Sequence, residues 1–267
     1  MEEACQLQLA FVLTLLQLVV PVTDTVLEDV KILCVCDQDI AIDVCAGGAL
    51  HLRSCKVDGG QRACVNVHGT GSYMKAECCA FRESEEGAGV LVQGGAVVEL
   101  HESSAQNCAC GWDICGPDSK LTARGCFVEG NSSAGARITD GGWASFISSR
   151  LDGSATSNGL YLDGSQSYAT LTSTSASSNH LSNVWVCRGA RLEAMGCNFD
   201  SSANEYGLDV SGCQSSAMVT ECRVSDNAEG NVYVWRGAAV LERCTCNNGR
   251  WHGWSVQCTE GQLTARH

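Results

Sequence analysis

The chain has 267 residues, a formal net charge of −13 and a hydrophobic content of 45%. This apolar content and the presence of only 2 prolines exclude a disordered chain, and the 29 glycines predict a packed protein with many turns. The acidic balance makes nucleic acid an unfavourable partner, because it repels phosphate backbones.

The N-terminal region contains an apolar stretch from Leu7 to Val20. It is too short to cross a bilayer, so we expect no membrane span. Acidic Glu2 and Glu3 stand where a signal peptide carries basic residues, which weakens that interpretation. We predict that residues 1–19 form an apolar cap or a weak signal-like segment.

An apolar-x-apolar triplet followed by a turn containing glycine recurs along the whole chain. The second apolar residue of the ten copies is Val44, Val67, Val92, Ile114, Ile138, Leu162, Val186, Val210, Val234 and Val256. Successive copies are 23, 25, 22, 24, 24, 24, 24, 24 and 22 residues apart. A period of this kind is typical of a solenoid, because each copy must occupy an equivalent place in a stack.

Within each copy, apolar and polar residues alternate, as in Gly159-Leu160-Tyr161-Leu162, and a corner of small polar residues follows. Alternation with a period of two indicates strands, and three strands per repeat describe one triangular coil. We predict an all-β, single-stranded, right-handed parallel β-helix of ten to eleven coils, about 24 residues each, over residues 20–267. Leu121-Thr122-Ala123-Arg124 recurs as Leu263-Thr264-Ala265-Arg266, so the last coil is predicted to be unfinished.

Many of the 19 cysteines recur at one height of the predicted coil. They are Cys55, Cys78 and Cys197, eleven residues after the repeat position, and Cys79, Cys126, Cys222 and Cys246, twelve residues after it. We interpret them as an inward column of free thiols, with disulfides or a metal as the alternatives. Paired CxxC or CxxH spacing is missing, so the sequence predicts neither a metal site nor another cofactor.

Outward residues of the first strand form two predicted columns. The first is Asp43, Asn66, Leu91, Asp113, Arg137, Tyr161, Trp185, Asp209, Tyr233 and Ser255, and the second is Cys45, His68, Gln93, Cys115, Thr139, Asp163, Cys187, Ser211, Trp235 and Gln257. Trp and Tyr dominate interaction hot spots, so we predict a binding surface at Tyr161, Trp185, Asp209, Tyr233 and Trp235. The alternative is aromatic packing that only covers the sheet.

A catalytic alternative uses Asp113, Arg137 and Asp163, which the repeat places on three successive coils. Carboxylates beside an arginine could serve a polysaccharide lyase, a glycoside hydrolase or an epimerase. The competing interpretation is a surface ion pair between Asp113 and Arg137, with Asp163 solvated.

Copies such as Gly89-Val90-Leu91-Val92-Gln93-Gly94-Gly95-Ala96 and Asn231-Val232-Tyr233-Val234-Trp235-Arg236-Gly237-Ala238 resemble pectin-lyase-like β-helix repeats of the carbohydrate-binding and sugar-hydrolase type. They look closest to the substrate-recruiting arrays of F-box ubiquitin-ligase receptors. The F-box segment itself is not found in the sequence, and the polygalacturonase motifs are missing, although Ala136-Arg137-Ile138-Thr139 echoes one of them. The resemblance therefore implies the fold and a recognition role, and no catalytic residue.

These observations favour a non-catalytic module that binds a protein, or alternatively a glycan, on the first-strand sheet. We expect a cytoplasmic location, with secretion as the alternative, because the cysteines lack the spacing of a disulfide framework. The unfinished last coil predicts either a longer parent chain or an end-to-end contact at its exposed edge.

Overall fold

The computed structural model describes residues 5–8, 12–15, 18–21, 24–34, 39–248 and 261–266, with side chains from residue 18 onward. These residues form 29 strands and no helix, so none of them belongs to a helix that could span a membrane. All the strand pairs are parallel, and together they form three sheets that run along a solenoid. The predicted β-helix is confirmed. Ser255, Val256 and Gln257 lie outside the described residues.

Each coil contributes its first strand to sheet 1, the sheet that carries the predicted site. Its strands are Leu18–Val20, Ile40–Val44, Ala63–His68, Ala88–Gln93, Cys110–Cys115, Ala134–Thr139, Leu160–Asp163, Val184–Cys187, Tyr206–Ser211 and Gly230–Trp235.

The second and third strands of the coils form the other two faces. Sheet 2 contains Cys5–Gln8, Asp24–Glu28, Ala49–Arg53, Tyr73–Glu77, Val97–His101, Lys120–Arg124, Trp143–Ile147, Tyr168–Thr172, Arg191–Met195, Ser216–Thr220, Ala238–Glu242 and Gln262–Arg266. Sheet 3 contains Val12–Leu15, Lys31–Cys34, Lys56–Asp58, Ala80–Arg82, Ser104–Gln106, Phe127–Glu129 and Arg150–Leu151. Beyond Leu151, single bridges such as Arg150 to Ser175 continue this face.

The predicted repeat positions lie directly above one another in sheet 1. Val44 pairs with Val67, and equivalent pairs continue from coil to coil up to Val234. At the other end, Val20 pairs with Val44, as the repeat predicts. Strands Cys5–Gln8 and Val12–Leu15 also pair with the following coil, although the division of the chain at residue 20 stays a prediction.

The core lies between the three sheets and follows the predicted alternation. In strand Leu160–Asp163, Leu160 and Leu162 are fully buried, whereas Tyr161 between them is half-buried on the outer face. Burying apolar side chains from neighbouring coils against one another supplies the stabilisation that an isolated coil lacks.

A column of thiols and hydroxyls forms hydrogen bonds with the backbone at the corner between sheets 2 and 3. Its members are Cys55, Cys79, Ser103, Cys126, Ser149, Thr174, Cys197, Cys222 and Cys244. Cys79 shows the arrangement: its backbone N–H donates to Ser103 Oγ of the next coil (3.0 Å), and its thiol donates to the Glu77 carbonyl (3.2 Å). Cys55, Cys79, Cys126, Cys197 and Cys222 are thus small polar groups that satisfy corner backbone, and the cysteines whose side chains the structure describes are free. Cys246 is buried as predicted, but it lies two residues beyond Cys244, which takes its predicted place in this column.

Cys78 does not belong to this column, and its predicted inward position is wrong. It occupies the corner residue just before the column, where the backbone has φ 54° and the side chain is exposed. The equivalent position is left-handed in other coils too, and it is glycine at Gly125 and Gly196. The coils differ in length, from 22 to 25 residues. The same number of residues after the repeat position therefore reaches different structural positions in different coils.

A second polar column, inside the corner between sheets 3 and 1, contains the buried asparagines Asn131, Asn179 and Asn227. Asn227 Oδ1 accepts a hydrogen bond from Ser202 N–H (2.9 Å), and its Nδ2 donates to the Phe199 carbonyl (3.0 Å). Both backbone groups are buried at a turn, where the sheets offer them no partner.

We expect Asn227→Ala to lower the free energy of unfolding by about 2 to 4 kcal/mol, because it leaves a buried N–H and a buried C=O without partners. Urea unfolding followed by circular dichroism measures the change. Asn204→Ala is the matched control, since Asn204 is an exposed residue that donates to the His180 carbonyl. Equal losses for the two variants would contradict the buried asparagine's role.

Candidate functional site

The first outward column of sheet 1 brings most of the predicted site residues into one line. In successive coils, Cα pairing places Asp113 beside Arg137, then Tyr161, Trp185, Asp209 and Tyr233. Each stands between two inward residues of its strand, so its side chain must leave on the outer face. Trp235 belongs to the neighbouring outward column and is 39% exposed at the end of the same strand, Gly230–Trp235.

Asp113 and Arg137 form the ion pair that the sequence suggests. Arg137 Nε donates to Asp113 Oδ1 (3.0 Å) and its Nη2 to Oδ2 (2.5 Å), a two-pronged contact. Asp113 is buried beneath the guanidinium, and the hydrogen bonds that Arg137 donates to this carboxylate raise the pKa of Arg137. The arginine therefore occupies both carboxylate oxygens of Asp113.

Asp163 is not solvated, which corrects the sequence interpretation. It is 5% exposed and forms two hydrogen bonds with the guanidinium of Arg188, a turn residue of the next coil. The Arg188 hydrogen bonds hold the pKa of Asp163 below its usual range. The catalytic set of Asp113, Arg137 and Asp163 thus becomes two separate ion pairs, Asp113 with Arg137 and Asp163 with Arg188.

Asp209 is the exception among the carboxylates of this face. It is 9% exposed, and none of the ion pairs among the described residues includes it. Burial raises its pKa from 3.8 to about 7, although a hydrogen bond from Ser211 partly opposes the rise. Its column neighbours, Trp185 and Tyr233, exclude water without supplying a positive charge.

The aromatic rings of the face pack against one another along the solenoid axis. Tyr161 and Trp185 have ring centroids 5.1 Å apart, and Tyr206 and Tyr233 stack at 4.7 Å with planes 14° apart. The guanidinium of Arg236 lies 5.0 Å from the Trp235 ring. We call Tyr161, Trp185, Tyr206, Tyr233 and Trp235 the aromatic belt.

Tyr206, Arg188 and Arg236 are members of this face that the sequence reasoning missed. Leu208 points inward, so strict alternation of inward and outward side chains predicts that Tyr206 also points inward. Gly207 has no paired residue on the neighbouring strand, however, and the ring of Tyr206 reaches the outer face. The two arginines follow the triplets Val184-Trp185-Val186 and Val232-Tyr233-Val234 at the turns, and both have positive φ. A search for arginine just after each triplet would have found them.

A groove of about 450 Å³ lies on the same face, N-terminal to the belt. Its lining includes Arg62, Glu86, Leu91, Gln93 and the pair Asp113–Arg137. The groove therefore ends at Arg137, whose Cα pairs with that of Tyr161, so groove and belt form one continuous surface.

At the N-terminal end of the columns, four polar side chains are connected. Asn66 Nδ2 donates to Asp43 Oδ1 (2.7 Å), and Gln93 Nε2 donates to Asn66 Oδ1 (3.0 Å). His68 Nε2 lies 3.3 Å from Asp43 Oδ1. Together with Cys45, Asp43 and His68 bring one sulfur, one oxygen and one nitrogen within 4.8 Å of one another, a set that could hold a metal ion.

The buried carboxyl of Asp209 makes stability depend on pH. The folded chain keeps this proton up to about pH 7, whereas an ordinary aspartate loses it near 3.8, so stability falls as pH rises between these values. We expect Asp209→Asn to raise the free energy of unfolding at pH 8 by about 2 to 4 kcal/mol, and to have no such effect below pH 4. Thermal unfolding at both pH values tests this.

Asp118→Asn removes the same charge from an exposed turn and serves as the control. A gain for Asp209→Asn of equal size at both pH values would contradict an origin in the ionisation of Asp209.

Two comparisons find similar proteins, and a third finds none. A family model described as "Right handed beta helix region" matches residues 134–267, and no curated protein matches. A mutant of the periplasmic alginate epimerase AlgG is similar with TM-score 0.57 and 11% identity, over 84% of this chain and 62% of that chain. The A-module of Azotobacter vinelandii mannuronan C-5 epimerase AlgE6 has TM-score 0.56 and 11% identity, over 93% and 90% of the two chains.

This chain thus spans 62% of the AlgG chain, and at 11% identity the likeness shows the fold alone. The family model, in contrast, matches on sequence and covers half of the chain, including most of the aromatic belt's coils. It also agrees with the predicted right-handed turn of the parallel solenoid. The protein belongs to the family of the right-handed β-helix region.

Proposed function

We propose that the protein is a non-catalytic recognition module that binds a protein partner on sheet 1, along the aromatic belt. The observation that carries the proposal is the convergence of five Tyr and Trp side chains and two arginines on one face of adjacent coils. Trp, Tyr and Arg are the residue types that dominate the binding energy of protein interfaces.

The charges of this face suit a partner that buries them. Asp163 is already paired with Arg188, and Asp113 with Arg137, so covering the sheet leaves neither carboxylate without a countercharge. Asp209 can enter an interface as the neutral acid, because its pKa is raised to about 7. The belt therefore combines apolar area with charges that are already compensated, as interface centres do.

A protein fits the belt better than a sugar chain. Sugars stack on free aromatic faces, but Tyr206 and Tyr233 cover each other's faces at 4.7 Å, and Arg236 lies over Trp235. The ring edges and the guanidinium group that these residues present suit side chains and carbonyls of a polypeptide. The resemblance to the substrate-recruiting arrays of F-box receptors supports the same choice, although ligase activity is not part of the proposal.

We expect a photo-crosslinking residue at Trp235 to capture a discrete partner in extracts of the source cells, and the same residue at Tyr168 to capture none. Tyr168 is a half-buried tyrosine of sheet 2, which makes it a matched position on another face. The variant Trp185→Ala with Tyr233→Ala should weaken binding of the captured partner by about 30-fold or more, since hot spots contribute about 2 kcal/mol or more.

Tyr73→Ala with Tyr168→Ala is the control for the double variant, because both residues are half-buried on sheet 2. Equal losses in the two double variants would make the belt a structural feature only. Retention on a polysaccharide affinity gel that depends on Trp185 and Tyr233 would make a glycan the ligand.

A second candidate, polysaccharide lyase, hydrolase or epimerase chemistry, gains support from Asp209. A carboxyl with a pKa of about 7 is suited to transferring protons near neutral pH. The solved structures with a similar fold are named as alginate and mannuronan epimerases. Asp209 would therefore replace Asp113 and Asp163 as the acid–base group of this alternative, because arginines occupy both of those carboxylates.

The recognition proposal expects no turnover of mannuronan, polygalacturonate or neutral glycans, with or without Ca²⁺, because the column neighbours of Asp209, Trp185 and Tyr233, supply no second carboxyl. Product unsaturation, reducing ends and deuterium incorporation from heavy water measure this. Turnover that is lost in Asp209→Asn and kept in Asp118→Asn would favour the enzyme instead.

A further inference from the structure

We propose that Asp43, Cys45 and His68 bind one Zn²⁺ ion at the N-terminal end of sheet 1. This site is separate from the aromatic belt and does not depend on the recognition role.

Register brings the three residues together. Asp43 and Cys45 flank the inward Val44 at the end of strand Ile40–Val44, so both side chains leave on the outer face. Val44 pairs with Val67 of the next coil, which places His68 beside Cys45 at the spacing of neighbouring strands, about 4.8 Å. Strands thus position Asp43 and His68, and Cys45 directly follows strand Ile40–Val44. Each of the three side chains is half-exposed, so an ion can enter from solvent.

The distances fit a tetrahedral ion after small side-chain rotations. The donor atoms all lie within 4.8 Å of one another, and His68 Nε2 is 3.3 Å from Asp43 Oδ1. Zinc bonds of about 2.0 to 2.3 Å at tetrahedral angles separate ligand atoms by about 3.3 to 3.8 Å.

Hydrogen bonds outside the three donors hold Asp43 in place. Asn66, which is buried, donates to Asp43 Oδ1, and Gln93 in turn donates to Asn66. Such outer partners orient the ligands of metal sites and set their affinity.

The donor set selects zinc. A thiolate, an imidazole and a carboxylate suit Zn²⁺, whereas Ca²⁺ and Mg²⁺ prefer oxygen ligands alone. On binding, the Cys45 thiol loses its proton to solvent as the Zn–S bond forms, so two negative ligands balance the charge of the ion. Three protein ligands leave a fourth position for water or for a group of a partner.

The same outward column contains a natural control. Cys115 stands in the position of Cys45 three coils further along, and its thiol lies 3.5 Å from Asp140 Oδ2. Thr139 occupies the place of His68 above it, so this cysteine has a carboxylate neighbour but no imidazole in the column.

Titration of the full-length, reduced and metal-free protein with Co²⁺, an optical probe for zinc sites, tests the proposal. We expect one equivalent to produce a thiolate-to-cobalt charge-transfer band with tetrahedral d–d bands, and one equivalent of Zn²⁺ to abolish both. Cys45→Ser should remove the charge-transfer band, and His68→Gln and Asp43→Asn should each weaken Co²⁺ binding by about 10-fold or more.

Cys115→Ser and His51→Gln, which lie outside the cluster, should leave the titration unchanged, and circular dichroism checks that every variant is folded. Absence of the charge-transfer band in the folded wild-type protein would overturn the proposal. So would a band that survives Cys45→Ser, since another thiol would then be the ligand. An ordinary ion pair between Asp43 and His68 gives no such band.

Discussion

Parallel backbone pairing in register is the constraint on which the rest of this structure depends. Each residue lies above its equivalent in the preceding coil, so every column of side chains repeats one environment along the axis. Inside, that environment is apolar on the strands and polar at the corners, where buried backbone groups need partners in every coil. Cysteine, serine and threonine alternate in one corner column because each offers a small group that accepts from one coil and donates within its own, as Cys79 and Ser103 do.

The same constraint explains the chemistry of the outer face. Stacking places equivalent side chains of neighbouring coils about 4.8 Å apart. This spacing is unfavourable for two like charges and favourable for two aromatic rings. Asp113 is compensated from within its column by Arg137, and Asp163 by Arg188 from the neighbouring turn. Asp209 lies between Trp185 and Tyr233, and its burial there raises its pKa. A residue's role on this surface is therefore set by what stands one coil above and one coil below it.

The fold itself leaves function open. Epimerases with a similar solenoid differ from this chain at about nine of every ten aligned positions, and the outer columns determine what such a scaffold can do. Here sheet 1 carries aromatic rings and arginines at one end, a groove in the middle and the Asp43, Cys45 and His68 cluster at the other end. One face thus combines the surface that we propose to bind a protein partner with the separate donors that we propose to hold a metal ion. The proposed ion would lie close to the groove, since Gln93 lines the groove and belongs to the hydrogen-bond chain behind Asp43.

The sequence by itself determined the solenoid, the stacking of Val20 to Val234 and the line from Asp113 to Tyr233. The alternation of apolar and polar residues and the period near 24 can both be read from the sequence without knowledge of tertiary contacts. It also predicted the pair of Asp113 with Arg137, since both stand at the same height of adjacent coils. Only the tertiary structure decided how the corners and turns place their side chains. Arg188 reaches Asp163 from a turn, Tyr206 leaves its expected side, and Cys78 turns outward at a left-handed corner. The period specifies where the strands lie but not the backbone conformation of the turns between them, such as the positive φ of Arg188 and Cys78, so these contacts form only when the coils stack.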